Sequence, residues 1–227
     1  MRKMRFSTEL AYFVGITLLA LSVTMMEAAD FGVSMIVAPA YLLHLKLSPT
    51  FAFFTFGMAE YTLQAVLLVV LIVALRKFKP YFLFSFVTAV FYGFVLDFLM
   101  MLFSYIPPVT LAMRLIYFFA GTVLGAAGIS FLFHTYIAPE VYELIVKEFA
   151  DKLQKMPHRV KMVYDAASFT LALILSFVFF GFGHFEGIKL GTLFCVLVNG
   201  WLIGRFTKLY ESLFDFQDSL PLRRFFS

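Results

Sequence analysis

Six stretches of this chain stay apolar for about as long as a helix needs to cross a bilayer: Phe6–Met26, Met58–Leu75, Tyr81–Phe103, Leu111–Phe133, Val163–Phe182 and Ile188–Phe206. A hydrocarbon core of roughly 30 Å takes about 20 helical residues, and inside it every backbone N–H and C=O must be paired without help from water. Runs of this length point to an all-α polytopic membrane protein with six transmembrane helices. Composition agrees: 62% of the 227 residues are hydrophobic and 14% charged, where an ordinary soluble domain is about half apolar and a quarter charged. No remaining stretch is long enough for a separate folded unit, so residues 1–227 read as a single transmembrane domain. The opening MRKMR and its apolar run imitate a signal peptide. That run ends in MMEAAD with no small-x-small site, and it reads as an uncleaved first helix.

The net charge of +4 reads as topology and gives no reason to expect nucleic acid. Fifteen of the 18 Lys and Arg fall on one side of the six runs: near the N-terminus, in the Arg76–Pro80 turn, over 147–161 and from Arg205 onward. Lys46, Arg114 and Lys189 fall on the other side. The positive-inside rule then makes the N- and C-termini cytoplasmic. The single cysteine, Cys195, lies within an apolar run, so no intrachain disulfide is expected.

Two segments break the pattern of spans. Glu27–Leu45 places Glu27 and Asp30 ahead of a 13-residue apolar run, Val33–Leu45, interrupted by Pro39. As a helix that run reaches only about 20 Å, so it reads as a re-entrant or interfacial segment. Residues 139–156, PEVYELIVKEFADKLQKM, space Val141, Leu144, Ile145, Phe149, Leu153 and Met156 as one helical face. Glu143/Lys147, Glu148/Lys152 and Asp151/Lys155 stand at i,i+4, so the segment reads as a cytoplasmic amphipathic helix lying on the membrane or on the bundle.

At an offset of about 105 residues the chain matches itself weakly. GITLLALS (Gly15–Ser22) lies over GTVLGAAG (Gly121–Gly128), and Ala38-Pro39 falls near Ala138-Pro139. Three spans per half is an odd number, which requires the second copy to enter from the opposite side. The expectation is two inverted-topology three-helix repeats, about 6–103 and about 111–206, followed by a cytoplasmic tail, 207–227.

The motifs GMAEYTLQAVLL (Gly57–Leu68), FSFVTAVFYGFVLD (Phe84–Asp97), GFGHFEGIKLGT (Gly181–Thr192) and VNGWLIG (Val198–Gly204) resemble the YczE/YitT-type, DUF6198-like family of bacterial integral membrane proteins. That resemblance implies a small protein of the bacterial plasma (inner) membrane, without an established biochemical activity. It carries over no catalytic residues.

Ionisable groups inside spans cost about 2.5–3.5 kcal/mol each on insertion scales and usually face the bundle interior or water. The candidates for a substrate or proton site are Asp97, Glu60 with its neighbour Gln64, Arg114, Glu27, Asp30, Asp165 and Asn199. Asp97, Glu60 and Arg114 are expected to meet Glu27 and Asp30 in one polar cluster; a purely structural Arg114–carboxylate clamp is the alternative. Gly121, Gly125 and Gly128 mark a close helix crossing, as do Gly187/Gly191 and Gly200/Gly204. His184-Phe185-Glu186 lacks further closely spaced ligands, so no metal and no cofactor is expected. Motifs for metalloprotease, phosphate-loop and nucleophile-elbow chemistry are absent, and no enzyme is expected. The functional expectation is a secondary transporter or permease of a small solute, with its site between the repeats. The alternative is a partner-dependent substrate-binding membrane subunit or scaffold. The partners are then the lipid bilayer, the solute, and either a second copy or an energising subunit.

Overall fold

The computed structural model describes residues 3–107, 110–155, 157–181, 187–221 and 223. Among these residues eight helices are present: α1 (Thr8–Ala29), α2 (Ala38–Leu47), α3 (Phe56–Leu75), α4 (Tyr81–Ser104), α5 (Leu111–Leu132), α6 (Val141–Leu153), α7 (Pro157–Phe180) and α8 (Leu190–Leu213). Six of them, all but α2 and α6, are long and apolar enough to cross a membrane. The protein is an all-α, multi-pass membrane protein. Local chemistry sets several of the ends. Ser7, Thr55 and Thr110 cap α1, α3 and α5 by accepting the N–H three residues on, and left-handed Asp30 and Arg76 stop α1 and α3.

The axis of the bundle is the crossing of α1 with α5. These two spans are the most buried (56% of the apolar window of each), and α7 and α8 the least (17%). Glycine makes the approach close. A Cβ on Gly15 would stand 3.0 Å from the Gly128 carbonyl oxygen, and one on Gly128 would stand 2.8 Å from that of Gly15. Around this pair, α4 packs on α1 and α8 on α5, while both α2 and α6 lie between α3 and α7. Gly57 and Gly93 likewise let α3 and α4 meet, whereas among the described residues α7 and α8 share no comparable contact. Gly200 and Gly204 face open space and mark no crossing among the described residues.

Both short helices enter the bundle. α2 follows the end of α1 and buries Ala38, Ala40 and Leu42 completely in the main core beside Ile16, Tyr92 and Leu96. Its Lys46 ends at the Phe179 carbonyl of α7, 3.1 Å away. α6 is the helix expected over 139–156, with a different setting. Its apolar face, Val141, Leu144 and Ile145, packs with Leu68, Leu71 and Phe82 of α3 and α4, while Leu153 stays exposed. The Val141 N–H meets Gln64 near the middle of α3, and Lys152 Nζ meets the Ala74 carbonyl at its end (2.8 Å). α6 therefore runs alongside the second half of α3, in the same direction. Because α5 ends at the same level as the 76–80 turn, the chain dips from there to mid-span over 133–140 and returns along α6. The three i,i+4 ion pairs expected on α6 do not form among the described residues. Glu148 pairs instead with Lys79 (2.9 Å) and accepts from Tyr81, because the helix is packed against neighbours and not solvated around its polar face.

α8 runs past the expected end of the second repeat to Leu213, and the expected tail continues as a strand. Residues Phe214–Gln217 (β2) pair in parallel with Met4–Ser7 (β1), Met4 opposite Phe214 and Ser7 opposite Gln217. Glu9 accepts the N–H groups of Ser219 and Leu220 and the Tyr136 hydroxyl, tying both ends to the segment after α5. Pro108 and His184-Phe185-Glu186 lie outside the described residues.

Candidate functional site

The polar residues of the bundle interior gather where α6 begins. Glu60 and Gln64 lie one turn apart on α3, about 6 and 12 Å along a helix about 30 Å long. Gln64 uses both ends of its amide. Its Nε2 donates to Glu140 Oε2 at 2.9 Å, and its Oε1 accepts the Val141 N–H at 3.0 Å. The first free N–H of α6 is thus capped from a neighbouring span, which fixes the depth of the helix start. Tyr142, one residue on, donates its hydroxyl to Glu60 Oε2 at 2.7 Å. Below them Tyr12 of α1 donates to Thr88 of α4 (3.0 Å), and Thr88 donates to the Ala138 carbonyl (2.9 Å). This relay holds the descending segment inside the bundle, where an unpaired carbonyl would cost several kcal/mol.

Each carboxylate is satisfied on one oxygen only. Glu60 (0% exposed) and Glu140 (2%) keep their Oε1 atoms without a hydrogen-bond partner, as do the Tyr92 hydroxyl and Ser85 on α4. Tyr92 lies within electrostatic range of Glu60, Glu140 and Glu143. Among the described residues no Lys or Arg pairs with Glu60 or Glu140. The cation on the α7 side, Lys161, is held by Asp165 at 3.0 Å and acts on the half-buried Glu143. Burial pushes the Glu140 carboxyl well above the ordinary carboxylate range, the nearby Glu143 and Glu60 push it further, and the Gln64 hydrogen bond opposes them only in part. Chemically, the arrangement presents unfilled acceptors to a proton or to a cation carrying N–H donors. Among the described residues no group of three His, Cys, Asp or Glu could hold a metal ion.

The residues singled out in the sequence divide into separate places. Glu60 and Gln64 form the α6 site. Asp97 does not share it: its carboxylate accepts from Thr55 Oγ1 (2.6 Å) and the Gly57 N–H (2.7 Å), locking the start of α3 to α4. The expected single cluster of Asp97, Glu60, Arg114, Glu27 and Asp30 is therefore not formed, because Asp97 is used up by Thr55 and Gly57 at the α3 cap, ahead of Glu60. Arg114 lies at the end of α1. It bonds the Ala29 carbonyl (2.7 Å) and pairs with Asp30 (3.0 Å), which also pairs with Lys189, so one acid joins α1, α5 and α8. Glu27 stands apart, accepting from Tyr41 at 3.5 Å. Asp165 serves Lys161, and Asn199 sits half-buried on α8 with its Oδ1 unpartnered. Glu140, Tyr142 and Tyr92 are the site residues that sequence reasoning missed. The signal for Glu140 was an acid directly after Ala138-Pro139, the counterpart of the short segment beginning at Ala38-Pro39.

Compared with known proteins, residues 6–208 match one family model, described as a family of unknown function (DUF6198). No curated protein and no solved structure matches the chain.

Proposed function

The chain belongs to the DUF6198 family, and from the geometry above we propose that it is a secondary transporter or permease of a small solute in the bacterial inner membrane. The observation that carries this reading is the pair Glu60 and Glu140, fully buried without a cation where a re-entrant helix begins beside the middle of a span. A charge so placed costs more than packing needs and suits a site that is filled and emptied in turn. The contact pattern supports two inverted repeats, α1–α4 and α5–α8. The α1–α5 crossing relates to itself, α1/α4 corresponds to α5/α8, and Lys46 on the end of α7 corresponds to Lys152 on the end of α3. In this reading both termini and the 76–80 turn are cytoplasmic, and α2 and α6 are the elements whose movement opens the site to either face.

The deciding experiment is uptake into liposomes holding the purified protein alone. Solute accumulation that is lost in Glu60→Gln, with unchanged melting, supports the reading; no flux of any solute that stabilises the protein overturns it. An impermeant thiol reagent should label a cysteine placed at Lys46 in intact cells and leave one at Lys152 unlabelled. A second reading, a binding subunit that needs a partner, is favoured by the open face of α8. There Leu190, Leu197 and Trp201 are exposed and Gly200 and Gly204 touch nothing. Flux that appears only after a partner is added would select it.

A further inference from the structure

We infer that the solute headgroup taken at the start of α6 is an organic ammonium, bound between Glu60, Glu140 and Tyr92 in exchange for a proton. The inference rests on the transporter reading and names its substrate class.

The acceptors carry the argument. Glu60 Oε1, Glu140 Oε1 and the Tyr92 hydroxyl oxygen are buried, unpartnered and drawn from three elements. A primary ammonium offers three N–H donors on a single charge, which matches three oxygens. Their other atoms are already committed: Glu60 Oε2 to Tyr142, and Glu140 Oε2 to Gln64. An anionic headgroup would face two carboxylates with no Lys or Arg paired to either, and a neutral one would leave their charge unanswered. A divalent metal lacks its ligand set among the described residues. The Tyr92 and Tyr142 rings supply the aromatic surface that organic cations favour.

The groups that face the pair are Tyr12 from α1, Gln64 from α3, Tyr92 from α4, Tyr142 and Glu143 from α6, and Tyr164 from α7, with Lys161 and Asp165 beyond Glu143. Among the described residues the cation in that ring is Lys161, which is paired with Asp165. With the site empty, a proton on one carboxyl relieves the repulsion between the two acids. When R–NH3+ arrives, that O–H breaks, the carboxylate takes an ammonium N–H, and the proton leaves to water, so charge in the site is conserved. The exchange couples inward movement of one ion to outward movement of the other.

The test is calorimetric binding to the full-length protein in detergent, in two buffers of different protonation enthalpy. Benzylammonium, ethylammonium and spermidine are compared with benzyl alcohol and benzoate. At least one ammonium should bind with about one proton released per ion, and the alcohol and the acid should not bind. Glu60→Gln and Glu140→Gln should each weaken binding at least ~30-fold, about 2 kcal/mol. Should both variants fail to fold, the proton count on the unaltered protein still decides. Ammonium binding without proton release, tighter binding of the alcohol or acid, or no binding of any ammonium over ~pH 5–9 overturns the inference. Its failure is separable from that of the transporter reading. Proton-linked ammonium binding without vesicle flux removes the transporter alone, and Glu60-dependent flux of an anion or neutral solute removes the ammonium alone.

Discussion

The acids of this protein are handled in opposite ways at its two short helices. At the α2 end, Asp30 is shared between Arg114 and Lys189, and Asp97 is bound by a hydroxyl and a backbone N–H at the α3 cap. At the α6 start, Glu60 and Glu140 receive only neutral donors and, among the described residues, no cation. The first arrangement discharges its charge into helix ends that need partners, so it is finished as built. The second leaves acceptors open in a fully buried place. An acid within a bilayer span is thus a poor guide to function by itself. What separates a clamp from a site is whether the fold supplies the countercharge.

The widest separation between the two ends is expected in activity. Glu60→Gln or Glu140→Gln should cut vesicle uptake by at least ~100-fold while leaving the melting temperature unchanged or higher, because a buried uncompensated charge is removed. Loss of folding with normal specific uptake in the surviving fraction would merge the two ends into one structural class. Next comes the reverse experiment at the α3 cap. Asp97→Ala removes two hydrogen bonds to a charged group and should cost about 2 kcal/mol, read as a lower melting temperature, with uptake per folded molecule retained. Normal stability with lost uptake would move Asp97 into the site.

A smaller effect sharpens the contrast through pH. The Glu140 pKa is raised in the folded protein, so the folded state holds a proton that the unfolded state has lost. Stability is then fully present below the ordinary carboxyl pKa and declines as pH rises toward the elevated folded value, by up to ~1.4 kcal/mol per pH unit. Glu140→Gln should flatten the decline; an unchanged profile would assign it to other groups. The smallest change is expected for Arg114→Gln. The Asp30 side chain is 62% exposed, so the pair contributes no more than about 1 kcal/mol and its loss should fade in high salt.

Four of the spans could be read from sequence to within three residues at each end because each is a single long apolar signal, whereas α7 begins six residues before, and α8 ends seven residues after, its apolar run, where polar residues continue the helix. Glu60 and Gln64 were legible for the same reason, standing out as polar groups one turn apart inside such a run. Glu140 was not. It sits outside the runs, ahead of an amphipathic stretch whose charges mimic a solvated surface helix, and only its bond with Gln64, 76 residues away, shows it to be buried. Asp97 and Glu60 were both correctly expected within spans, yet helical position alone did not tell that Thr55 and Gly57 would claim Asp97. The four-residue strands carried no signal of their own, since each is ordered by the other and by the packing of Phe6, Phe214 and Phe216 on Phe131 and Tyr210.

That strand pair has a consequence for how the molecule is made. Met4 finds its partner in Phe214, which is synthesised 210 residues later. At about 5–20 residues per second, the first strand waits on the order of 10–40 seconds while all of the helices between them emerge. Until α8 is in place and β2 has followed it, β1 is an open edge able to pair with a neighbouring nascent chain. Pairing of the two strands therefore waits for α8, and a chain stopped short of Phe214 would have all eight described helices and no partner for β1.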